Sequence, residues 1–128
     1  MTTTSTVALG DLPAIGARLE GGTFAGVISL PDGKHVAVIL LPGKGEELDW
    51  KAATAWAEKH GGELPSRPVA ALLYANVKAE LTPDWHWTNE AFGASCAWTC
   101  YFDSGYQGNH RESCEGSAVA VRLIPLTA

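Results

Sequence analysis

The segment spanning residues 85–123 constrains the fold of this chain more than any other part. It contains three of the five tryptophans, two of the three tyrosines and all three cysteines. Aromatic and β-branched residues favour pleated, half-buried strands, whereas the intervening Gly, Ser and Asn residues favour turns. The segment therefore predicts short strands that carry displayed loops, and loops on a rigid sheet are a frequent place for binding residues.

The length of 128 residues predicts one domain that buries roughly two-thirds of its unfolded surface. We expect an N-terminal arm over residues 1–22 and a single domain over residues 23–128. The hydrophobic content is 46%, and no apolar run approaches the roughly 18 residues of a membrane helix. The sequence therefore predicts no membrane insertion.

Charge and cysteine content narrow the partners and the compartment. Nine basic and fourteen acidic residues give a net charge of −5, which opposes a nucleic-acid partner. The N-terminus has no pattern of a secretory signal, so we expect synthesis in the cytoplasm, with incorporation into a phage particle as one further route. An odd cysteine count predicts reduced thiols, while a bridge between Cys100 and Cys114 stays open in an oxidising setting.

The order of predicted elements gives an α+β chain. Strands at residues 24–30 and 35–41 form a hairpin around the Asp-Gly turn of residues 31–34. Asp49 caps a helix that ends at Lys59, and Ser66 caps a second helix with Pro68 in its first turn. Three strands of an antiparallel sheet follow. They span residues 85–89, 97–102 and 118–124.

An ordered series of motifs runs through residues 46–125. Its members are Asp49-Trp50 at the start of an Ala-rich helix, Gly61-Gly62-Glu63-Leu64-Pro65-Ser66-Arg67 before Leu72-Leu73, Trp85-His86-Trp87-Thr88-Asn89, Ala97-Trp98 with Tyr101-Phe102, Gly105, and a closing Val121-Arg122-Leu123. In this order the motifs resemble the C-terminal domain family of bacterial collagen-like adhesins, whose relatives occur widely in bacteria and prophages. That family is similar to C-type lectin-like folds.

The resemblance implies a C-type lectin-like fold, with two helices packed on an antiparallel sheet and a terminal hairpin. It also implies adhesion or ligand binding, often by trimers, with polysaccharides among the ligands. We therefore expect a homo-oligomer, with a trimer as one form, that binds a glycan or a protein. The acidic net charge argues against a polyanionic glycan.

The tryptophans divide into predicted core and predicted surface residues. Large aromatic side chains dominate core burial, so we expect Trp87 and Trp98 to be buried. Trp85 is the one expected to be exposed, where its flat face would stack on a sugar ring. Alternation along strand 97–102 gives one core face and one partly open face. The predicted core set is Trp98, Cys100 and Phe102, and the predicted open set is Ala97, Thr99 and Tyr101.

The polar hairpin after Asp103 is the main candidate for ligand binding. Its Tyr, Asn, Arg and Gly residues offer contact area and adaptable hydrogen bonds, as in antibody loops. A solvated hairpin without a ligand is the alternative interpretation. The predicted ligand-binding residues are Trp85, Tyr101, Tyr106, Gln107, Asn109, His110, Arg111 and Glu112.

The sequence predicts no metal, no cofactor and no catalytic residues. Cysteines four apart on a strand lie about 13 Å apart, too far to share one zinc ion. The sugar-binding calcium signature of C-type lectins is absent around Asn89 and Glu90. Formylglycine-generating enzymes use paired cysteines on a related fold, but the four histidines here occupy separate elements, so we expect buried thiols and no enzyme.

Arg122 and Arg67 are expected to have structural roles. The position of Arg122 within an apolar strand predicts a structural ion pair or a hydrogen-bond hub, with Asp84, Glu90 or Asp103 as partners. We expect a similar structural role for Arg67. The alternative to an adhesion module is a phage or prophage structural, assembly or accessory protein, whose aromatic surface is buried against a protein partner.

Overall fold

The computed structural model describes residues 6–127 and confirms the α+β class. These residues form two α-helices, two short 3₁₀ turns and ten strands arranged in two curled five-stranded sheets. The first five residues of the predicted arm, and Ala128 at the end of the predicted domain, lie outside the described residues.

The first sheet joins both ends of the chain. Its strands are β1 (Val7–Ala8), β2 (Arg18–Leu19), β3 (Gly22–Ser29), β4 (His35–Leu40) and β10 (Val121–Thr127). Their order is β1-β10-β4-β3-β2, with β1 parallel to β10 and the other pairs antiparallel. The predicted β3–β4 hairpin is confirmed. Its turn depends on Gly33, whose φ of 88° is readily accessible to glycine.

The second sheet contains the aromatic segment. Its strands are β5 (Gly45–Leu48), β6 (Trp85–Phe92), β7 (Cys96–Tyr101), β8 (Gln107–Arg111) and β9 (Gly116–Ala118). Their order is β5-β9-β6-β7-β8, and β9 runs parallel to β6. The hairpins β6–β7 and β7–β8 place three consecutive strands side by side, so residues far apart in the sequence share each face.

The two helices begin at the predicted caps. Helix α1 (Trp50–Lys59) follows Asp49, whose carboxylate accepts a 2.8 Å hydrogen bond from the Ala52 backbone N–H. Helix α2 (Arg67–Val77) follows Ser66, whose hydroxyl accepts from Val69 N–H at 3.3 Å. Both caps satisfy a backbone donor that has no partner within the helix. The 3₁₀ turns span Leu9–Asp11 and Lys78–Glu80.

The prediction of one antiparallel sheet is wrong. The strand expected over residues 118–124 divides into β9 in the second sheet and β10 in the first. Val119 and Ala120 make the crossing and are each 1% exposed. An uninterrupted apolar run therefore includes a buried connection between two sheets, which hydrophobic periodicity cannot distinguish from a single strand.

The core consists of two clusters on opposite faces of the sheets. Ala53 and Ala57 of α1 pack with Trp87 and other residues of one cluster. Leu73 of α2 packs with Cys100 and other residues of the other cluster. Helix α1 therefore packs on the Trp87 side of the second sheet, and α2 packs on the Cys100 side.

Arg122 makes a hydrogen bond instead of an ion pair, and none of its three predicted partners accepts it. Its Nη1 donates to the backbone carbonyl of Glu20 at 3.3 Å. Arg122 lies in the first sheet, whereas its three expected carboxylate partners lie in or beside the second. Within residues 6–127, the only contact within 4 Å between a basic nitrogen and a carboxylate joins His86 Nδ1 and Asp84, at 3.5 Å. Burial lowers the pKa of His86, which disfavours the charged form that an ion pair needs.

No helix within residues 6–127 has the length and apolar character needed to cross a membrane.

Candidate functional site

Strand alternation divides the predicted binding residues between two faces of the second sheet. Trp85 is aligned with Tyr101, and His110 is aligned with Ala97, which shares a face of β7 with Tyr101. The rings of Trp85, Tyr101 and His110 therefore project from one face. The remaining predicted side chains of β8 project from the opposite face. They are Gln107, Asn109 and Arg111.

Four aromatic rings on the first of these faces form a continuous group, called the aromatic cluster below: Trp85, Tyr101, Tyr106 and His110. The His110 imidazole stacks on the Trp85 indole with centroids 3.8 Å apart and planes 8° apart. Tyr101 lies 6.1 Å from His110 and 5.8 Å from Tyr106, measured between ring centroids. The structure thus brings together four of the eight predicted residues.

Tyr106 is the most exposed ring of the cluster, with 65% of its surface accessible. The backbone holds its position, because Tyr101 N–H donates to the Tyr106 carbonyl at 2.8 Å and Gly105 N–H donates to the Tyr101 carbonyl at 2.7 Å. A Cβ atom on Gly108 would lie 2.9 Å from Tyr106 Cε2, so glycine at this position lets the ring lie close to the strand. Tyr106 is therefore an exposed aromatic on a fixed turn.

Trp85 is half-buried instead of presenting a free face. His110 covers one side of its indole, and the Trp87 ring meets it edge-on at a centroid distance of 5.1 Å. Gly116 lies so close that any side chain there would overlap the indole. Trp85 therefore supports the cluster, and the exposed aromatic face expected of Trp85 is provided by Tyr106.

The predicted core positions are correct for Trp87 and wrong for Trp98. Trp87 is fully buried, and its indole N–H donates to the Leu48 carbonyl at 2.8 Å. Trp98 is half-buried, whereas Ala97 and Thr99, expected on the open face, are fully buried. The reason is that the core cluster around α1 covers the Ala97 side of β7, while α2 covers the other face only in part.

His110 connects the cluster to the sheet. Its Nδ1 lies 3.2 Å from the Thr99 hydroxyl, and its Nε2 lies 3.5 Å from the Tyr101 hydroxyl. Burial lowers the pKa of His110, because the charged imidazolium loses hydration between these neighbours. The neutral ring is therefore the form that the site favours.

The opposite face carries a second arrangement that the sequence did not reveal. The Arg67 guanidinium lies over the Trp98 ring, with Cζ 3.5 Å from the ring centroid. Arg67 Nε donates to the Gln107 side-chain oxygen at 2.9 Å, and the Gln107 amide donates to the Arg67 carbonyl at 2.8 Å. Phe92 meets Trp98 edge-on at 4.9 Å between centroids. Cation–π pairing between distant residues leaves no signal in the spacing of a sequence.

The last three predicted residues lie outside both arrangements. Asn109 and Arg111 are exposed on the Trp98 side of the sheet. Glu112 makes two backbone hydrogen bonds to other parts of the chain. Its N–H donates to the Ser95 carbonyl at 2.9 Å, and its carbonyl accepts from the Trp50 N–H at 3.0 Å. These bonds fix the end of β8 against the β6–β7 hairpin and the start of α1.

An acidic groove borders the cluster beside Trp85. It has a volume of about 250 Å³ and is lined by Glu46, Glu47, Asp84 and Glu115, among others. Burial tends to raise the pKa of Asp84, but hydrogen bonds to its carboxylate, with His86 nearby, lower it overall. Negative potential therefore surrounds one side of the aromatic cluster.

The described residues contain no cluster of metal-binding side chains. Across residues 6–127, no three His, Cys, Asp or Glu side chains converge closely enough to hold a metal ion. The three cysteines are free thiols. Cys100 is fully buried, and burial raises its pKa, which disfavours the nucleophilic thiolate. Cys96 and Cys114 are half-buried.

No protein-family model matches the chain, and a search of curated proteins returned no match either.

Proposed function

We propose that this chain is a non-enzymatic recognition module that binds a glycan or protein ligand through the aromatic cluster. The ordered motifs of residues 46–125 support a C-type lectin-like fold for the module, as does the arrangement of two helices against sheets with a terminal hairpin. The ligand surface in this proposal is formed by Tyr106 and Tyr101, with His110 and Trp85 behind them.

The observation that carries the proposal is the exposure of Tyr106 on a fixed turn. A 65% exposed aromatic ring loses apolar hydration when a ligand covers it, and the backbone bonds at Tyr101 and Gly105 reduce the ordering cost of binding. Tyrosine combines a large apolar face with a hydroxyl that donates and accepts hydrogen bonds. Such a ring suits both the apolar face of a sugar and a protein side chain.

The charge around the cluster limits the ligand. The chain carries a net charge of −5, and Glu46, Glu47 and Glu115 line the groove next to Trp85. A polyanionic glycan would approach against this field, whereas a neutral glycan or a neutral to basic protein surface would not. We therefore propose a ligand without clustered negative charge at the contact.

A second candidate function is a phage or prophage assembly or accessory protein. The observation in its favour lies on the first sheet, where Leu9 (59% exposed) and Val27 (39% exposed) line an apolar groove with Leu126. Exposed apolar surface of this kind is often covered in oligomers. In that case the aromatic cluster would bind a protein, and the chain would form a homo-oligomer, a trimer being one form.

A glycan array combined with mass measurement in solution tests the proposal. The wild-type chain is expected to bind neutral glycans, and a Tyr101→Ala/Tyr106→Ala variant is expected to lose the signal. Light scattering of both proteins reports the oligomeric mass, and circular dichroism reports whether they are folded. If the wild type is correctly folded and gives no glycan signal, a glycan ligand is ruled out. A stable oligomer that buries Tyr106 would favour the assembly function.

A further inference from the structure

Arg67 is held in one position by three contacts that leave its terminal nitrogens unused. The guanidinium Cζ lies over the Trp98 ring, Nε donates to Gln107, and the Arg67 backbone N–H donates to the Glu90 carboxylate at 2.7 Å. Arginine side chains normally lose considerable rotamer freedom on binding a partner. Here that freedom is already restricted in the free protein.

The terminal nitrogens Nη1 and Nη2 of Arg67 point to solvent. Every buried side-chain nitrogen or oxygen in the described part of the chain has a hydrogen-bond partner. The only side-chain bond of Arg67 among residues 6–127 is the one from Nε, and no carboxylate lies within 4 Å of its guanidinium there. The two unpaired nitrogens must therefore be accessible to solvent, and hence to a ligand.

A groove opens beside this guanidinium. It has a volume of about 600 Å³ and is lined by Arg67, Gln107 and Glu90, together with Pro31, Pro68, Ala71 and Gly105, which lies on the turn that carries Tyr106. The groove lies on the α2 side of the sheet, whereas the aromatic cluster lies on the other face. A ligand group bound to the Arg67 guanidinium would therefore contact none of the four side chains of the aromatic cluster.

We propose that Arg67 is a binding site for a single carboxylate group of a ligand. The guanidinium edge offers two parallel N–H donors, a geometry that matches the two oxygens of a carboxylate. Trp98 lies against the guanidinium, and neither Nη has a hydrogen-bond partner among residues 6–127. Gln107 fixes the rotation of the guanidinium because it binds Nε and the Arg67 carbonyl simultaneously.

The charge of Glu90 selects a carboxylate over a phosphate. One Glu90 oxygen accepts from the first residue of α2, where the helix dipole partly compensates its charge. The charges of Arg67 and Glu90 sum to zero, so a doubly charged phosphate leaves more uncompensated charge in the groove than a singly charged carboxylate does. The carboxylate can belong to an acidic sugar or to a peptide, and the experiment separates these sources.

The experiment follows the Trp98 indole N–H signal of the ¹⁵N-labelled chain by NMR. The acidic probes are glucuronate and N-acetylglutamate α-amide, and the neutral controls are glucose and N-acetylglutamine α-amide. Inorganic phosphate is the third anion, and ionic strength is held constant because screening changes weak anion binding.

We expect at least one acidic probe to shift the Trp98 signal to saturation, with half-saturation between roughly 1 and 20 mM. Glucuronate alone indicates an acidic sugar, and the glutamate probe alone indicates a peptide.

Two lysine variants test whether binding needs the two parallel N–H donors of the arginine side chain. Arg67→Lys keeps the charge but loses the two parallel donors, so binding is expected to weaken about five- to tenfold. Arg111→Lys, an exposed arginine on the same face, is expected to bind within about twofold of wild type. If Arg67→Lys does not fold, Gln107→Met removes the acceptor of Nε, and the same loss is expected.

Four results would overturn the carboxylate site. They are the absence of saturable binding by either acid, equally tight binding of a neutral control, tighter binding of phosphate than of both acids, and undiminished binding by Arg67→Lys. None of these results bears on Tyr106, so the proposed function stands or fails separately.

Discussion

The imidazole of His110 lies parallel to the indole of Trp85, 3.8 Å away between ring centroids. The pair joins the exposed part of the aromatic cluster to the buried part of the second sheet, since Trp85 also contacts the fully buried Trp87. We therefore expect the protonation state of His110 to affect both the stability of the fold and the position of the aromatic cluster.

Acid is expected to destabilise the fold through two histidines. Burial lowers the pKa of His110 and of His86 in the folded chain. In the unfolded chain both titrate near about 6.5, so the unfolded state takes up protons first as the pH falls. The full stability is present above that pH and declines as the pH falls towards the folded-state pKa values. Urea unfolding should give a lower free energy of unfolding at pH 5.5 than at pH 7.5.

The variant His110→Gln isolates the contribution of the His110 imidazole to the pH dependence of the free energy of unfolding. Whatever its stability at pH 7.5, its free energy of unfolding should change less between the two pH values than that of wild type. Asp84 does not interfere, because its lowered pKa keeps it ionised at pH 5.5. An identical pH dependence in wild type and variant would show that His110 is not desolvated in the folded chain.

Gly116→Ala should disrupt the stack. A methyl group at this position would overlap the Trp85 indole, so the ring or the backbone of β9 must move. Overpacking of this kind costs about 1–3 kcal/mol in the free energy of unfolding. Near-ultraviolet circular dichroism should also lose part of its tryptophan signal.

Gly10→Ala is the matched control for this substitution. A Cβ atom there has no neighbour within 4 Å, so its free energy of unfolding should stay within about 1 kcal/mol of wild type. Equal stability of the two variants would mean that Trp85 is not packed against Gly116.

The cysteines should differ in reactivity towards iodoacetamide. Cys100 is fully buried, and burial raises its pKa, so its thiol should stay unmodified in the folded chain. Cys96 and Cys114 are half-buried free thiols and should react first. Intact mass spectrometry should show two adducts before denaturation and a third afterwards. Rapid addition of three adducts to the folded chain would contradict the packing of β7 against α2.

Local sequence signals predicted the elements that depend on local chemistry. The caps Asp49 and Ser66 and the turn glycine Gly33 lie where their side-chain or backbone preferences place them. The division of residues 118–124 between two sheets could not be predicted, because Val119 and Ala120 are apolar in a strand and in a buried crossing alike. Burial there is determined by tertiary packing, which periodicity does not report.

The candidate site was predicted as a set of residues but not as a surface. Aromatic and polar composition indicated Tyr101, Tyr106 and His110, which the structure brings together. Composition could not show which face each residue of β8 occupies, because that depends on its register with β7. The position of Arg67 over Trp98 depends on the packing of α2 on the sheet, so no sequence pattern indicated it.

The most direct test of the proposed function compares two exposed aromatic residues on opposite sides of the second sheet. Tyr106 is 65% exposed in the aromatic cluster, and Phe92 is 42% exposed beside Trp98. Calorimetric titration with the best glycan from the array gives the dissociation constants of wild type, Tyr106→Ala and Phe92→Ala. We expect Tyr106→Ala to bind at least about tenfold more weakly, and Phe92→Ala to stay within about twofold of wild type. Unchanged binding by Tyr106→Ala, or an equal loss in Phe92→Ala, would contradict the assignment of the ligand surface to the aromatic cluster.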